Sequence, residues 1–385
     1  MWKSIASNFL TVFIVLLVGI GGVIGWGKTQ YSSAGPLESA ICLRVPVGGK
    51  MSAVTVDLEE QGAVTSGRIM RLGADYSDKA GQLKAGSFLV PPASSMEEIV
   101  DIVTRGGQNT CGTEVVYRIG VTSLSSVVRE LDPNTNRYVE TANFTPGEDE
   151  IPAEYVDARD DRTARYRVAV AEGATSWQVV NGLSQIDALS GDVEELPAEG
   201  SLAPDSYEFV PGSDVAAVIA RMAEAQDRIL AQAWEARDST VPLQSPEEAL
   251  VLASIVEKET GLADERRQVA SVFVNRLNQG MKLQTDPTVI YGITKGEGVL
   301  GRGIRQSELR ARNAYNTYVI DGLPPTPIAN PGKAAIDAAL NPDETPYIFF
   351  VADGTGGHAF AVTIADHNRN VAAWRKIEAE RNANN

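Results

Sequence analysis

Between Phe9 and Trp26 the chain carries no charged residue, and nearly every position is apolar. At ~1.5 Å per helical residue such a run just crosses a hydrocarbon core of ~30 Å, so a transmembrane helix is predicted there. The pattern then breaks into short pieces. Leu43–Val47 reads as a strand and Gly48-Gly49 as a turn. Ser52–Gln61 fits a helix, with Val54 and Leu58 one turn apart and Gly62 as the stop, but Val56 equally fits strand alternation. Gly86–Pro91 reads as a second strand. Ser95 and Glu98 stand at capping-box spacing, opening a helix that runs to Arg105-Gly106-Gly107. Val115–Val121 is a predicted strand, followed by a predicted helix from Ser123 to Leu131. Residues 132–165, rich in Asp, Glu, Asn, Pro and Thr, read as loop or irregular insertion.

Periodicity lengthens in the second half. Ser213 is predicted to cap a helix reaching about Arg237, with Val218, Met222, Ala225, Ile229 and Ala233 along one face. Ser245-Pro246-Glu247-Glu248 is a compact helix start, Ser245 as cap, Pro246 at the first helical position and Glu248 completing a capping box. That helix is expected to continue through Thr260 and stop at Gly261. At 3.6 residues per turn, Leu252, Ile255, Val256 and Glu259 share one face, while Glu257 and Lys258 project elsewhere. The fold class is therefore α+β: an N-terminal transmembrane helix, small α/β modules, and a C-terminal mixed domain with a Glu-bearing helix. The expected segments are a tail at 1–8, an anchor at 9–26, a module at 38–112, and a second α/β region with an irregular insertion at 113–212. A connecting helix at 213–244 precedes the last domain at 245–385.

Length and charge narrow the chemistry. The 385 residues suffice for two or three domains, and 43% hydrophobic with 22% charged residues is ordinary for globular chains. Asp and Glu number 50 against 34 Lys and Arg, a formal charge of -16. With no basic run there is no footprint for phosphate backbones, which excludes a nucleic-acid partner. A neutral polymer suits the balance better than an anionic substrate. Lys3 before the apolar run, with Trp2 and Trp26 flanking it, follows the positive-inside pattern and puts most of the chain outside the cytoplasm. A cleaved signal peptide is the competing reading, with Ser32-Ser33-Ala34 as a weak site. Cys42 and Cys111 are the two cysteines. In an oxidising compartment they can close a disulfide, a loop worth about 4 kcal/mol in the chain-entropy account, or remain two buried thiols. Two histidines without an acidic cluster give no metal site, and no glycine loop is built for phosphate, so neither a metal nor a cofactor is expected.

Glu259 is the candidate of chemical interest, because a carboxylate on an apolar face is desolvated and tends to hold its proton. A protonated carboxylic acid can then protonate a glycosidic oxygen. An alternative is a Glu at a fraying helix end, or one paired with a buried Arg. The surrounding residues add a resemblance. Ala253-Ser-Ile-Val-Glu-Lys-Glu-Thr260, Val269-Ala-Ser-Val-Phe-Val-Asn-Arg-Leu277 and Leu283-Gln-Thr-Asp-Pro-Thr-Val-Ile-Tyr-Gly292 are similar to the MltG (YceG-like) family of endolytic murein transglycosylases. The likeness continues through Ala314–Tyr318, Gly322–Pro325, Ile328–Gly332, Tyr347–Gly354 and Gly357–Phe360, covering most of 246–368 in the family's order. Upstream, 41–112 resembles that family's LysM-related module, and Ala203-Pro-Asp-Ser-Tyr-Glu-Phe209 its Pro-Asp-Thr-Tyr segment.

The resemblance implies that Glu259 is the essential acid, and its setting looks like the Glu-Ser pair of lysozyme-like lytic transglycosylases, with Thr260 for Ser. The implied reaction is non-hydrolytic cleavage of the MurNAc–GlcNAc bond, leaving 1,6-anhydro ends and ending nascent strands beside peptidoglycan synthases at the inner membrane. One carboxyl serves both halves, so the usual second glycosidase carboxylate is not required. Asp286 is the candidate if a second acts, although Thr285 and Pro287 beside it suggest a turn. Gln284, Tyr291, Tyr315, Asn316, Thr317 and Tyr318 are expected to line a glycan groove. Arg276 is expected to pair with a carboxylate, and His358 to sit at a tight turn before a strand. A lysozyme-type muramidase and a non-catalytic wall-binding scaffold are the rival readings.

Overall fold

The computed structural model describes residues 2–46, 48–105, 110–161 and 163–384. The side chains of 2–9 and 382–384 are outside that description. Met1, Val47 and the Gly106-Gly107 stop of the sequence reading fall outside the described residues, as do the side chains of Trp2 and Lys3. Strands form three two-stranded pairs and one five-stranded sheet among the described residues. Contact density divides the chain into two units. One comprises 1–115, 127–143 and 151–165, the other 116–126, 144–150 and 166–385.

The first unit opens with α1 (Trp2–Ser32), whose segment Leu10–Ser32 is long and apolar enough to cross a membrane. Leu10 to Trp26 is exposed along the helix, so no protein core accounts for its apolar surface. The end of α1 is different. Gly73 packs against the ring of Tyr31 so closely that a Cβ would overlap it. Beyond α1 the chain is tied down by Gly35 N donating to Ala93 O (3.1 Å) and Ala93 N donating to Leu37 O (2.8 Å).

The globular part of this unit contains β1 (Ile41–Val45), α2 (Met51–Glu60), α3 (Gly67–Tyr76), β2 (Gly86–Val90) and α4 (Met96–Thr104). β1 and β2 pair antiparallel with Leu43 opposite Phe88. The ambiguous Ser52–Gln61 segment is helical because Val54 and Leu58 reach the core while Val56 stays in solvent. The Ser95–Glu98 capping box is present on α4. Leu43, Val45, Leu58, Met70, Phe88, Ile99 and Val103 form the core. Cys42 and Cys111 are joined by a disulfide, their Cα atoms 5.6 Å apart.

Two expectations fail in the middle of the chain. After β3 (Thr113–Ile119), the predicted helix from Ser123 is instead β4 (Leu124–Asp132). Leu124, Val127, Val128 and Leu131 fit helical spacing, but Ser-Ser-Val-Val at its centre favours the pleated chain, and Leu124, Ser126 and Val128 alternate inward. The expected irregular insertion holds β5 (Arg137–Phe144) and α5 (Ala153–Asp160).

In the second unit, β6 (Arg165–Val170) lies beside β8 (Ser206–Phe209), with α6 (Ser176–Ser184) and β7 (Leu189–Ser190) between them in sequence. β7 pairs parallel with β9 (Ser213–Asp214), so Asp214 rather than Ser213 caps α7 (Val215–Glu235). Then follow α8 (Pro246–Glu259), α9 (Arg266–Asn278), α10 (Asp286–Thr294), α11 (Gln306–Arg310) and α12 (Lys333–Leu340). The hairpin β10 (Phe349–Ala352) and β11 (His358–Ala361) leads into α13 (Ile364–Asn384). Ser245 caps α8 as expected, but Glu248 reaches past it to accept from Gln244 N at 2.6 Å. The helix ends at Glu259, one residue before the expected stop, because Thr260 is extended. Asp286 opens a helix instead of a turn, with Thr285 at the cap position. The core centres on Leu252, Ile255 and Val256 of α8, packed with Phe273 of α9 and Ile336 and Leu340 of α12.

Candidate active site

Glu259 is the last residue of α8, carried there on the face that buries Leu252, Ile255 and Val256. Its side chain keeps part of its surface open to a cleft of about 310 Å³, lined also by Arg276, Gln284, Thr285, Asp286, Tyr318, Phe350 and His358. Burial pushes its carboxyl above the usual range. A hydrogen bond donated by the Thr285 hydroxyl to Oε1 opposes this, as do His358 and Arg276, while Asp286 adds to the rise. Oε2 makes no hydrogen bond among the described residues. The carboxyl thus has one oxygen anchored by Thr285 and one without a hydrogen-bond partner, at the border of the cleft.

The anchor is itself fixed. Thr285 N donates to Thr317 Oγ1 (3.0 Å), and the Thr288 hydroxyl donates to Thr285 O (2.8 Å). Thr317 is fully buried, so it builds the wall behind Thr285 without reaching the cleft. Gln284, just before, has φ 51°, a left-handed conformation that few side chains adopt freely. Its exposed side chain borders the cleft. Such strain at a site boundary is tolerated only where the surroundings fix it. Here Gln284 N donates to Thr317 O at 3.2 Å.

Tyr318 donates its hydroxyl to Asp286 Oδ1 (2.7 Å), and burial pushes the phenol upward. Arg276 is half spent on structure: Nε donates to Ile348 O (2.7 Å) and a terminal nitrogen to Leu283 O (2.8 Å). Its charge acts on Glu259 through space, with no ion pair between them.

His358 begins β11 after the tight turn at Gly356, as expected. Glu265 holds it from two directions, accepting from His358 N at Oε2 (3.0 Å) and lying 2.7 Å from Nδ1 through Oε1. The same Oε1 accepts from the Thr260 hydroxyl at 2.6 Å. Burial would raise the Glu265 carboxyl, but these donors outweigh it and hold it low. Sequence reasoning missed Glu265, whose partner lies 93 residues away and which falls between two of the resembling blocks. Thr285 was within such a block, yet its spacing reads as a turn.

The remaining expected groove residues sit elsewhere. Asn316 is buried, its amide donating to Glu308 O, Leu309 O and Ala311 O. Tyr291 and Tyr315 pack against each other with tilted rings, centroids 4.9 Å apart, outside the cleft lining. Tyr291 donates to Glu199 Oε2 (3.1 Å), and Ser176 N donates to Glu199 Oε1 (2.8 Å). Burial raises the Glu199 carboxyl too. Glu257, the other glutamate of α8, accepts from Gly332 N at 2.9 Å and fastens the helix to the start of α12.

The profile of the YceG-like family matches residues 43–373. The chain belongs to the YceG-like family. A relative from Bacillus subtilis named endolytic murein transglycosylase is 28% identical over 362 residues, 91% of this chain and 89% of that protein. A pneumococcal relative of the same name, from strain D39, is 28% identical over 391 residues, 96% of this chain but 65% of its own length. A crystal structure of a yceG-like protein from Listeria monocytogenes is 24% identical, with a TM-score of 0.47 over 86% of this chain and 99% of that one. Glu259, Thr285 and His358 all fall within the matched span.

Proposed function

We propose that this chain is a membrane-anchored murein transglycosylase that cleaves the MurNAc–GlcNAc bond of peptidoglycan strands without water. The observation that carries the reading is Glu259, a carboxyl whose proton is retained by burial and whose free oxygen faces a cleft. The names of its YceG-like relatives support the substrate class. In the first half, protonated Glu259 gives its proton to the leaving oxygen. In the second, its carboxylate, steadied by Thr285, receives the proton of the MurNAc C6 hydroxyl as O6 closes on C1. That returns the acid and leaves a 1,6-anhydro end.

Cleavage would take place outside the cytoplasmic face of the inner membrane, with Leu10–Ser32 as the anchor. Residues 38–112 would serve as a LysM-like wall-binding module, and termination of growing strands beside a synthase is the physiological role that follows. Mass spectrometry of digested glycan strands tests the chemistry. Ends carrying 1,6-anhydro-MurNAc are expected. Reducing ends with incorporated solvent oxygen would instead make the protein a muramidase, with Asp286 as the cleft's second carboxylate.

A further inference from the structure

The imidazole of His358 lines the same cleft as Glu259 but is not needed for the acid–base cycle above. Its surroundings are more elaborate than a packing role demands. Its ring stands edge-on to Phe350, with centroids 5.0 Å apart. One carboxylate, Glu265, grips both its backbone N–H and its Nδ1. An ionised carboxylate can only accept, so Nδ1 must carry the hydrogen and, in the neutral ring, Nε2 must present its lone pair. Nε2 has no hydrogen-bond partner among the described residues. The third donor to Glu265 is Thr260, directly after Glu259. The same side chain therefore fixes the end of the helix carrying the acid and the tautomer of the histidine across the cleft.

We propose that His358 acts on the substrate, its Nε2 accepting the hydrogen bond of the sugar hydroxyl that attacks, and that Glu265 is the positioning residue that orients it. The inference rests on the transglycosylase reading. In the reaction the C6 hydroxyl points its hydrogen at Nε2, which aims an O6 lone pair at C1. The C1–O4 bond breaks as Glu259 protonates O4. As O6 closes on C1 the O6–H bond breaks, and its hydrogen, released from Nε2, goes to the Glu259 carboxylate left ionised by the transfer to O4. His358 gains and loses no proton over the cycle. Only neutral His358 can do this, since an imidazolium has no acceptor. The charged and titratable groups around the ring are Glu265 just before α9, Arg276 of α9, Glu259 of α8, Asp286 of α10, Tyr318 and Asp353.

The test uses the full-length chain in detergent on purified glycan strands, with kcat, KM and anhydro ends measured from pH 4 to 9. His358→Asn keeps a donor for Glu265 but has nothing at the Nε2 position. We expect kcat to fall roughly ten- to hundredfold with little change in KM, the cost of a misaimed reacting group, and the acid limb of the kcat profile to disappear. His358→Gln, whose amide oxygen reaches the Nε2 position, recovers part of the rate and also lacks the acid limb. Glu265→Gln, which no longer forces the hydrogen onto Nδ1, lowers kcat with little change in KM. A uniform loss at every pH in the His358 variants, with the limb unmoved, assigns the pair a structural role and overturns the proposal. So does wild-type kcat in His358→Asn. If the wild-type protein yields no anhydro ends, the transglycosylase reading fails by that measurement alone, whatever the limbs do.

Discussion

Desolvation raises the carboxyls of Glu199, Glu257 and Glu259 in the second unit, and Glu199 and Glu259 differ in what their oxygens meet. At Glu199 both oxygens are occupied, one by the Ser176 amide and the other by the Tyr291 hydroxyl. At Glu259 the Thr285 hydroxyl holds one oxygen and the other looks into a cleft. Burial alone therefore does not distinguish an acid catalyst from a structural acceptor. The free oxygen, backed by a fixed donor on its neighbour, is what sets Glu259 apart as the proposed acid.

The contrast is most easily broken by replacing each acid with its amide. Glu259→Gln should lower cleavage by about 10²–10⁴-fold, the usual worth of general acid–base catalysis, with circular dichroism unchanged. Glu199→Gln should leave the rate of the same order; an equal loss in both would dissolve the distinction. A subtler effect comes from Thr285→Val. Its hydroxyl favours the ionised form of Glu259, so its removal should move the alkaline limb of kcat upward. A limb that stays in place would mean that Thr285 does not tune the acid.

Stability should separate the two sites as well. Glu259 binds its proton more tightly folded than unfolded, so its contribution is complete below the ordinary carboxylate range, near pH 4. It is then lost as pH rises through the elevated folded value. Glu259→Gln should flatten that decline and raise Tm at pH 8 by about 2–4 °C, the shift expected for about 1 kcal/mol in a domain of this size. The smallest effect is reserved for Tyr291→Phe, which removes one donor from Glu199. It should cost about 0.5–1.5 kcal/mol in denaturant unfolding and leave cleavage untouched.

How much of this was legible in the sequence depends on the range of the interaction. Glu259 could be separated from Glu257 because the choice is settled within one helix by 3.6-residue periodicity, and the cap at Ser245 is equally local. The Ser123–Leu131 segment was misread because its apolar positions satisfy two periods at once, and sheet pairing, which is not local, decided for the strand. Within the site, Gln284, Asp286, Tyr318, Arg276 and His358 do meet at the cleft with Glu259. Tyr291, Tyr315 and Asn316 have side chains equally suited to sugars, yet folding commits them to internal bonds. Glu265 had no signature at all, since its meaning arises only where the α9 start meets a hairpin 93 residues later.

The seating of Tyr31 on Gly73 has a mechanical consequence. A flexible linker would let the first unit swing freely about its attachment. Here the helix that is long and apolar enough to cross a bilayer is the same rod whose last turn packs against Gly73. At ~1.5 Å per residue the 23 residues of Leu10–Ser32 measure about 35 Å, little more than the hydrocarbon thickness. With that span in a bilayer, the Tyr31 contact would lie at the lipid surface with little slack. The first unit would ride on the membrane like a flag on a rigid mast, with its tilt set by the tilt of the helix.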